Sequence, residues 1–171
     1  ASSSGGTTNA GSSSTEGGAF AAGGALGTGG ASTTGGTVAI HGTTSTGDSG
    51  RHQARTLGTR LANAGVAAAR VYSSQWCRCL ETARLLQLGP VTELPALNSF
   101  FERSQHREAT IAALRSFLAS LPPDGPPVVL VTHQFTINAF TSAGTPSGGG
   151  SIFQLDGTDN PRWLGTLPTD D

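Results

Sequence analysis

The chain has 171 residues, 36% of them hydrophobic and only 12% charged, with ten basic residues against eleven carboxylates for a formal net charge of −1. That length suits one ordinary domain, and the near-neutral balance gives no support for nucleic acid or an anionic membrane surface as a partner recruited by bulk charge. No stretch reaches the apolar length of a membrane span, so no span is expected, and any anion site must be built locally.

Composition is uneven along the chain. Before Thr37 every residue is Ala, Gly, Ser or Thr except Asn9, Glu16, Phe20 and Leu26. Almost nothing there can offset the entropy of ordering, so residues 1–36 are expected to form a low-complexity flexible arm or tether. The alternative is a segment ordered by packing against copies of itself, for which its Gly-Gly pairs are suited, and self-assembly through the arm is an expectation of that reading. All basic residues are arginines and methionine is absent. The missing initiator and the linker-like front favour an exported location, periplasmic or extracellular. Cys77 and Cys79, the only cysteines, lie too close together on a turn to bridge each other and are read as small hydrophobes.

Thr37-Val38-Ala39-Ile40 reads as the first strand and runs into the polar turn His41-Gly42-Thr43-Thr44. Gly50 to Leu61 carries Ala54, Leu57, Gly58 and Leu61 on one face at helical spacing, closed by Ala64-Gly65. A second short strand, Arg70 to Ser73, breaks at two serines and restarts as a helix with Ser74 as N-cap and Leu80, Ala83, Leu85 and Leu86 on its apolar face. Strand, helix and strand make a βαβ unit, and parallel strands follow from that connection.

Val91 to Leu94 is a third strand, and Pro95 to Arg103 a loop holding Phe100 and Phe101. Glu108 to Leu121 is a helix with Ile111, Leu114, Phe117, Leu118 and Leu121 on one side, stopped by a proline-rich turn. Val128-Val129-Leu130-Val131 is the most apolar run and predicts a central strand buried on both faces, ending at Thr132-His133-Gln134. A short helix over 135–140, a Gly/Pro loop over 141–150, and an antiparallel edge hairpin of Ser151–Leu155 with Trp163–Leu167 complete the expectation. The fold class is α/β: a three-layer α/β/α domain over 37–168 with a mostly parallel central sheet, and a frayed tail over 169–171.

His41, Arg78 and His133 each follow a predicted parallel strand and so converge at one edge of the sheet, where open α/β folds bind ligands. An arginine gives a rigid fork for phosphate oxygens, and a histidine near neutral pH can be a neutral nucleophile or a cationic phosphate ligand. Arg51, Arg55 and Arg60 read as a solvated helix face, and Trp76 as packing beside the turn.

Five pieces together resemble the histidine phosphatase superfamily (phosphoglycerate-mutase-like): Val38 to Thr44, Gly50 to Arg55, Ser73 to Ala83, Leu97-Asn98-Ser99-Phe100-Phe101, and Leu130 to Gln134. Within it they most resemble the small bacterial branch of lipopolysaccharide core heptose phosphate phosphatases. The resemblance implies that His41 accepts the phosphoryl group, that Arg78 and His133 bind its oxygens, and that a phosphomonoester is hydrolysed through a phosphohistidine with no metal and no cofactor. The substrate it implies is a phosphorylated small molecule or sugar phosphate. Glu102 is the carboxylate in the loop where the family commonly carries its acid, at a spacing that departs from the family pattern, while Thr44, Asn98 and Gln134 are candidate substrate contacts. Two departures stand out: Ile40 replaces the arginine that precedes the family's acceptor histidine, and the loop between Thr44 and Gly50 is short. They motivate an alternative, a catalytically degenerate phosphatase-fold protein with a structural, binding or assembly role.

Overall fold

The computed structural model describes residues 36–42, 47–141, 145 and 148–167, with backbone alone for 37–42. The arm over 1–35, with the assembly expected of it, and Thr44 and the tail over 169–171 lie outside the described residues. Gly36 is already part of the domain: it is buried, and its carbonyl accepts from the Leu155 N–H at 2.8 Å.

Six strands form one sheet in the order β3-β2-β4-β1-β5-β6. β1 (Thr37–Gly42), β2 (Arg70–Ser73), β3 (Val91–Glu93) and β4 (Val128–Thr132) run parallel, while β5 (Gly150–Gln154) and β6 (Arg162–Leu167) close one side antiparallel. The helices are α1 (Asp48–Asn63), α2 (Cys77–Leu85), α3 (Arg107–Ser120) and α4 (Gln134–Thr141), with single 3-10 turns at Pro95–Leu97 and Ser104–His106. This is the expected three-layer α/β arrangement with a mostly parallel sheet.

β4 is buried at all five positions. Alternate strand residues face opposite sides, and the two cores divide accordingly. Val129 and Val131 join Leu57, Leu61, Val71, Ala83 and Leu86 on the α1/α2 side, whereas Val128 and Leu130 join Leu97, Leu114, Leu118, Ile137 and Phe140 on the α3/α4 side. Every position read as the inner face of α1 is buried. On α2 the inner face is Cys79, Thr82 and Ala83, with Leu86 just beyond the helix, while Leu80 and Leu85 are half-buried. α2 starts at Cys77 behind an extended Trp76, two residues later than a Ser74 cap requires.

No helix among the described residues is long and apolar enough to cross a membrane. α1 lies against the end of α2 through Gly58, where an added Cβ would stand 2.2 Å from the Leu86 carbonyl oxygen. Both partners at that crossing are backbone, so neither can rotate away. Gly58→Ala is therefore expected to destabilise the domain by about 1–3 kcal/mol, the usual cost of overpacking, despite the better helix propensity of alanine. Urea unfolding of wild type and variant measures this, and an unchanged or raised midpoint would contradict the packing.

Candidate active site

The carboxyl ends of β2, β4 and β1 are adjacent in the sheet, and each leads into one expected site residue. In register, Ser73 of β2 and His41 of β1 both lie beside Val131 of β4, and His41 also faces Gly150 of β5. With strands about 4.8 Å apart, the His41 backbone lies one strand across from the end of β4. His133 follows β4 directly and opens α4, its carbonyl accepting from the Thr136 and Ile137 N–H groups at 2.9 and 3.1 Å. Arg78 is the second residue of α2.

Arg78 and His133 meet: Arg78 Nη2 is 2.8 Å from His133 Nδ1. A guanidinium has donors only, so Nδ1 must accept, and the proton of the neutral ring sits on Nε2. Nε2 is 2.9 Å from Ser74 Oγ, which is also 3.0 Å from Asn98 Oδ1. The polarity is then fixed throughout: His133 Nε2–H donates to Ser74 Oγ, and the Ser74 hydroxyl donates to Asn98 Oδ1. Asn98 Oδ1 also accepts from the Gln75 N–H at 2.9 Å, and Asn98 Nδ2 donates to Gln75 Oε1 at 2.9 Å. Asn98 therefore braces the turn that carries Ser74, rather than presenting its oxygen to a substrate.

His133 is 2% exposed, and burial, followed by the charge of Arg78, holds its pKa down at about 4. The imidazole is neutral at physiological pH, which corrects the option of a cationic ligand in the free site. Trp76 meets the His133 ring edge-on with centroids 4.9 Å apart, and the Arg78 guanidinium carbon lies 5.1 Å from the Trp76 ring centre. Arg78 Nε is buried with no hydrogen-bond partner among the described residues. An orphan cationic N–H beside a neutral imidazole is a donor awaiting an anion.

The remaining candidates fall elsewhere. Gln134 Nε2 donates to the Thr145 carbonyl, and Asn138 Oδ1 accepts from the Thr145 N–H at 2.9 Å, so Gln134 secures the loop after α4. Glu102 is exposed and lines a cleft of about 560 Å³ that also borders Trp76 and Asn98. Arg51, read as solvated, instead ties α1 to α2 through Nε donating to Glu81 Oε1 at 2.7 Å. Cys77 is exposed and Cys79 buried, both as free thiols. Burial pushes the Cys79 thiol up to about 11, which keeps it protonated beside His133. Ser74 and Trp76 are the contacts that sequence reasoning passed over. A pair of serines between a strand and a helix was the available signal, since a buried hydroxyl there needs a partner.

The fold is an α/β sheet whose neighbouring strands β2, β4 and β1 bring Arg78, His133 and the His41 backbone to one edge. Residues 36–107 match the model of the histidine phosphatase superfamily (branch 1). No curated protein matches the chain. Among solved structures it resembles the mycobacterial glucosyl-3-phosphoglycerate phosphatase (18% identity, 78% of this chain and 96% of that one, TM-score 0.54). A variant of the phosphoserine phosphatase of Entamoeba histolytica, in complex with phosphoserine, is similar at 14% identity, 78% and 98% coverage and TM-score 0.56. So is the protein histidine phosphatase SixA complexed with tungstate, at 15% identity, 77% and 96% coverage and TM-score 0.53.

A neutral buried imidazole makes folding sensitive to acid. The folded-state pKa of about 4 lies below the ordinary 6.5, so the unfolded chain binds the extra proton first as pH falls. Stability is fully present above pH 6.5 and declines toward pH 4, by an amount on the order of 3 kcal/mol. His133→Gln should flatten that part of the stability profile measured by urea unfolding between pH 7 and 4; an equal slope in both proteins would contradict a neutral His133.

Proposed function

We propose that the domain is a phosphomonoester hydrolase working through a phosphohistidine on His41. The observation that carries this reading is the Arg78–His133 pair at 2.8 Å, with its orphan Nε, one strand away from the end of β1. An incoming phosphate dianion competes with His133 Nδ1 for the Arg78 N–H groups and, as an opposite charge, raises the proton affinity of His133. Arg78, and His133 once protonated at Nδ1, then donate to the equatorial oxygens, and positioning supplies most of the acceleration. In the first step a nitrogen of His41 bonds to phosphorus while the bond to the ester oxygen breaks, and Glu102 gives that oxygen a proton. In the second step water attacks phosphorus, the nitrogen–phosphorus bond breaks, and the proton of the water returns to the Glu102 carboxylate. The scheme uses no metal.

The substrate in this reading is a phosphorylated small molecule, because a cleft with room for a metabolite adjoins the anion ligands at Trp76. Structures of like fold are named for glucosyl-3-phosphoglycerate and phosphoserine, which supports small phosphomonoesters in general.

With 4-nitrophenyl phosphate, wild type is expected to release phosphate in the presence of excess chelator and to form an acid-labile phosphoenzyme. His41→Ala should lose the phosphoenzyme and lower turnover by roughly 10⁴-fold or more, as removal of a nucleophile does. Absence of turnover by wild type with any of a panel of phosphomonoesters would overturn the reading. Ile40→Arg restores the residue that precedes the acceptor in related sequences. A charge-assisted hydrogen bond of about 1.5–3 kcal/mol should tighten inorganic phosphate at least about tenfold in isothermal titration; unchanged affinity would show that this position does not reach the anion.

A further inference from the structure

The cleft beside the anion ligands is far larger than phosphate requires, and its walls constrain what the phosphate is attached to. At about 560 Å³ it falls in the range of pockets that enclose a whole small molecule. Trp76 joins it to the phosphoryl ligands. The ring is held in place by the guanidinium of Arg78 at 5.1 Å and the edge-on His133 at 4.9 Å, yet remains 40% exposed. A group attached to a phosphate on Arg78 therefore meets an aromatic surface that the anion site itself immobilises.

Asn98, the cleft residue nearest the Ser74 turn, is already engaged. Asn98 Oδ1 accepts from Ser74 and from the Gln75 N–H, and its amide donates to Gln75. Ser99 Oγ accepts from the Phe101 N–H at 3.2 Å. Pro95 and Phe100 add apolar surface, and the charged side chains Glu102, Arg103 and His106 are exposed. A flat apolar ring would bury surface against Trp76, Pro95 and Phe100 without having to give up the hydrogen bonds to water that hydroxyl groups make.

We propose that the substrates are phosphomonoesters whose leaving group carries an aromatic or heteroaromatic ring seated on the exposed surface of Trp76. This rests on the hydrolase reading above and names the substrate class of that same site.

Binding of non-hydrolysable phosphonates tests it without relying on turnover. Benzylphosphonate is expected to bind wild type at least about tenfold more tightly than methylphosphonate, from ring stacking and apolar burial together. In Trp76→Ala the ratio of the two affinities should fall below about threefold, while Trp76→Phe should keep most of it. Taking the ratio within each variant removes any general weakening of the anion site caused by loss of the ring beside Arg78. Equal affinities in wild type, a ratio that Trp76→Ala leaves intact, or tighter binding of glucose 6-phosphonate than of benzylphosphonate would each overturn the proposal alone. Wild type that binds neither a phosphonate nor inorganic phosphate would instead overturn the hydrolase reading beneath it.

Discussion

The hydrogen bond from Arg78 to His133 Nδ1 is the contact on which the geometry of the site depends. It joins two groups that sequence separates by more than fifty residues and that the sheet brings to neighbouring strand ends. Because an arginine only donates, this one bond dictates the tautomer of His133, and the tautomer dictates the direction of every bond behind it. Ser74, Asn98 and Gln75 are thereby committed to a single arrangement. Burial of His133 and Ser74 makes that commitment stringent at its inner end, since an unmatched polar group there costs more than a well-made hydrogen bond gains.

The fold serves this contact through the placement of β4. Its alternation feeds Val129 and Val131 into one core and Val128 and Leu130 into the other, which fixes the height of the strand end in the sheet. The loop after β3 is fastened to the same end by Thr132 Oγ1 donating to the Leu97 carbonyl at 2.6 Å. Asn98, the next residue, is thus set where it can reach Ser74. The result is a site whose Arg78 comes from α2 and whose His133 comes from the junction of β4 and α4, with the end of β4 setting the position of both.

Much of this was legible in the chain. β4 announced itself by an unbroken apolar run, and α1 by Ala54, Leu57, Gly58 and Leu61 at helical spacing, because burial on two faces and on one face leave different periods. Arg78 and His133 were recoverable as strand-end residues that a parallel sheet must gather. The start of α2 was not, because a serine after a strand looks like a cap: Ser74 Oγ does accept from the Trp76 N–H at 3.3 Å, but it also bonds His133 and Asn98, and the helix begins only at Cys77. Trp76 was read as packing for the same reason: local sequence cannot say that a guanidinium and an imidazole will brace the ring and leave part of it exposed. Asn98 and Gln134 were plausible substrate contacts by type, and their hydrogen bonds to the turn and to Thr145 became visible only with the loops in place.

The protonation of the His133 ring is the most direct test, because the arrangement of the site follows from it. Nitrogen-15 NMR of histidine-labelled protein at pH 7, with His133 assigned by its loss in His133→Gln, should show hydrogen on Nε2 and a bare Nδ1. Addition of inorganic phosphate should then shift Nδ1 toward its protonated form. A ring carrying its proton on Nδ1 in the free protein, a fully protonated imidazolium there, or a spectrum that ignores phosphate would contradict the account.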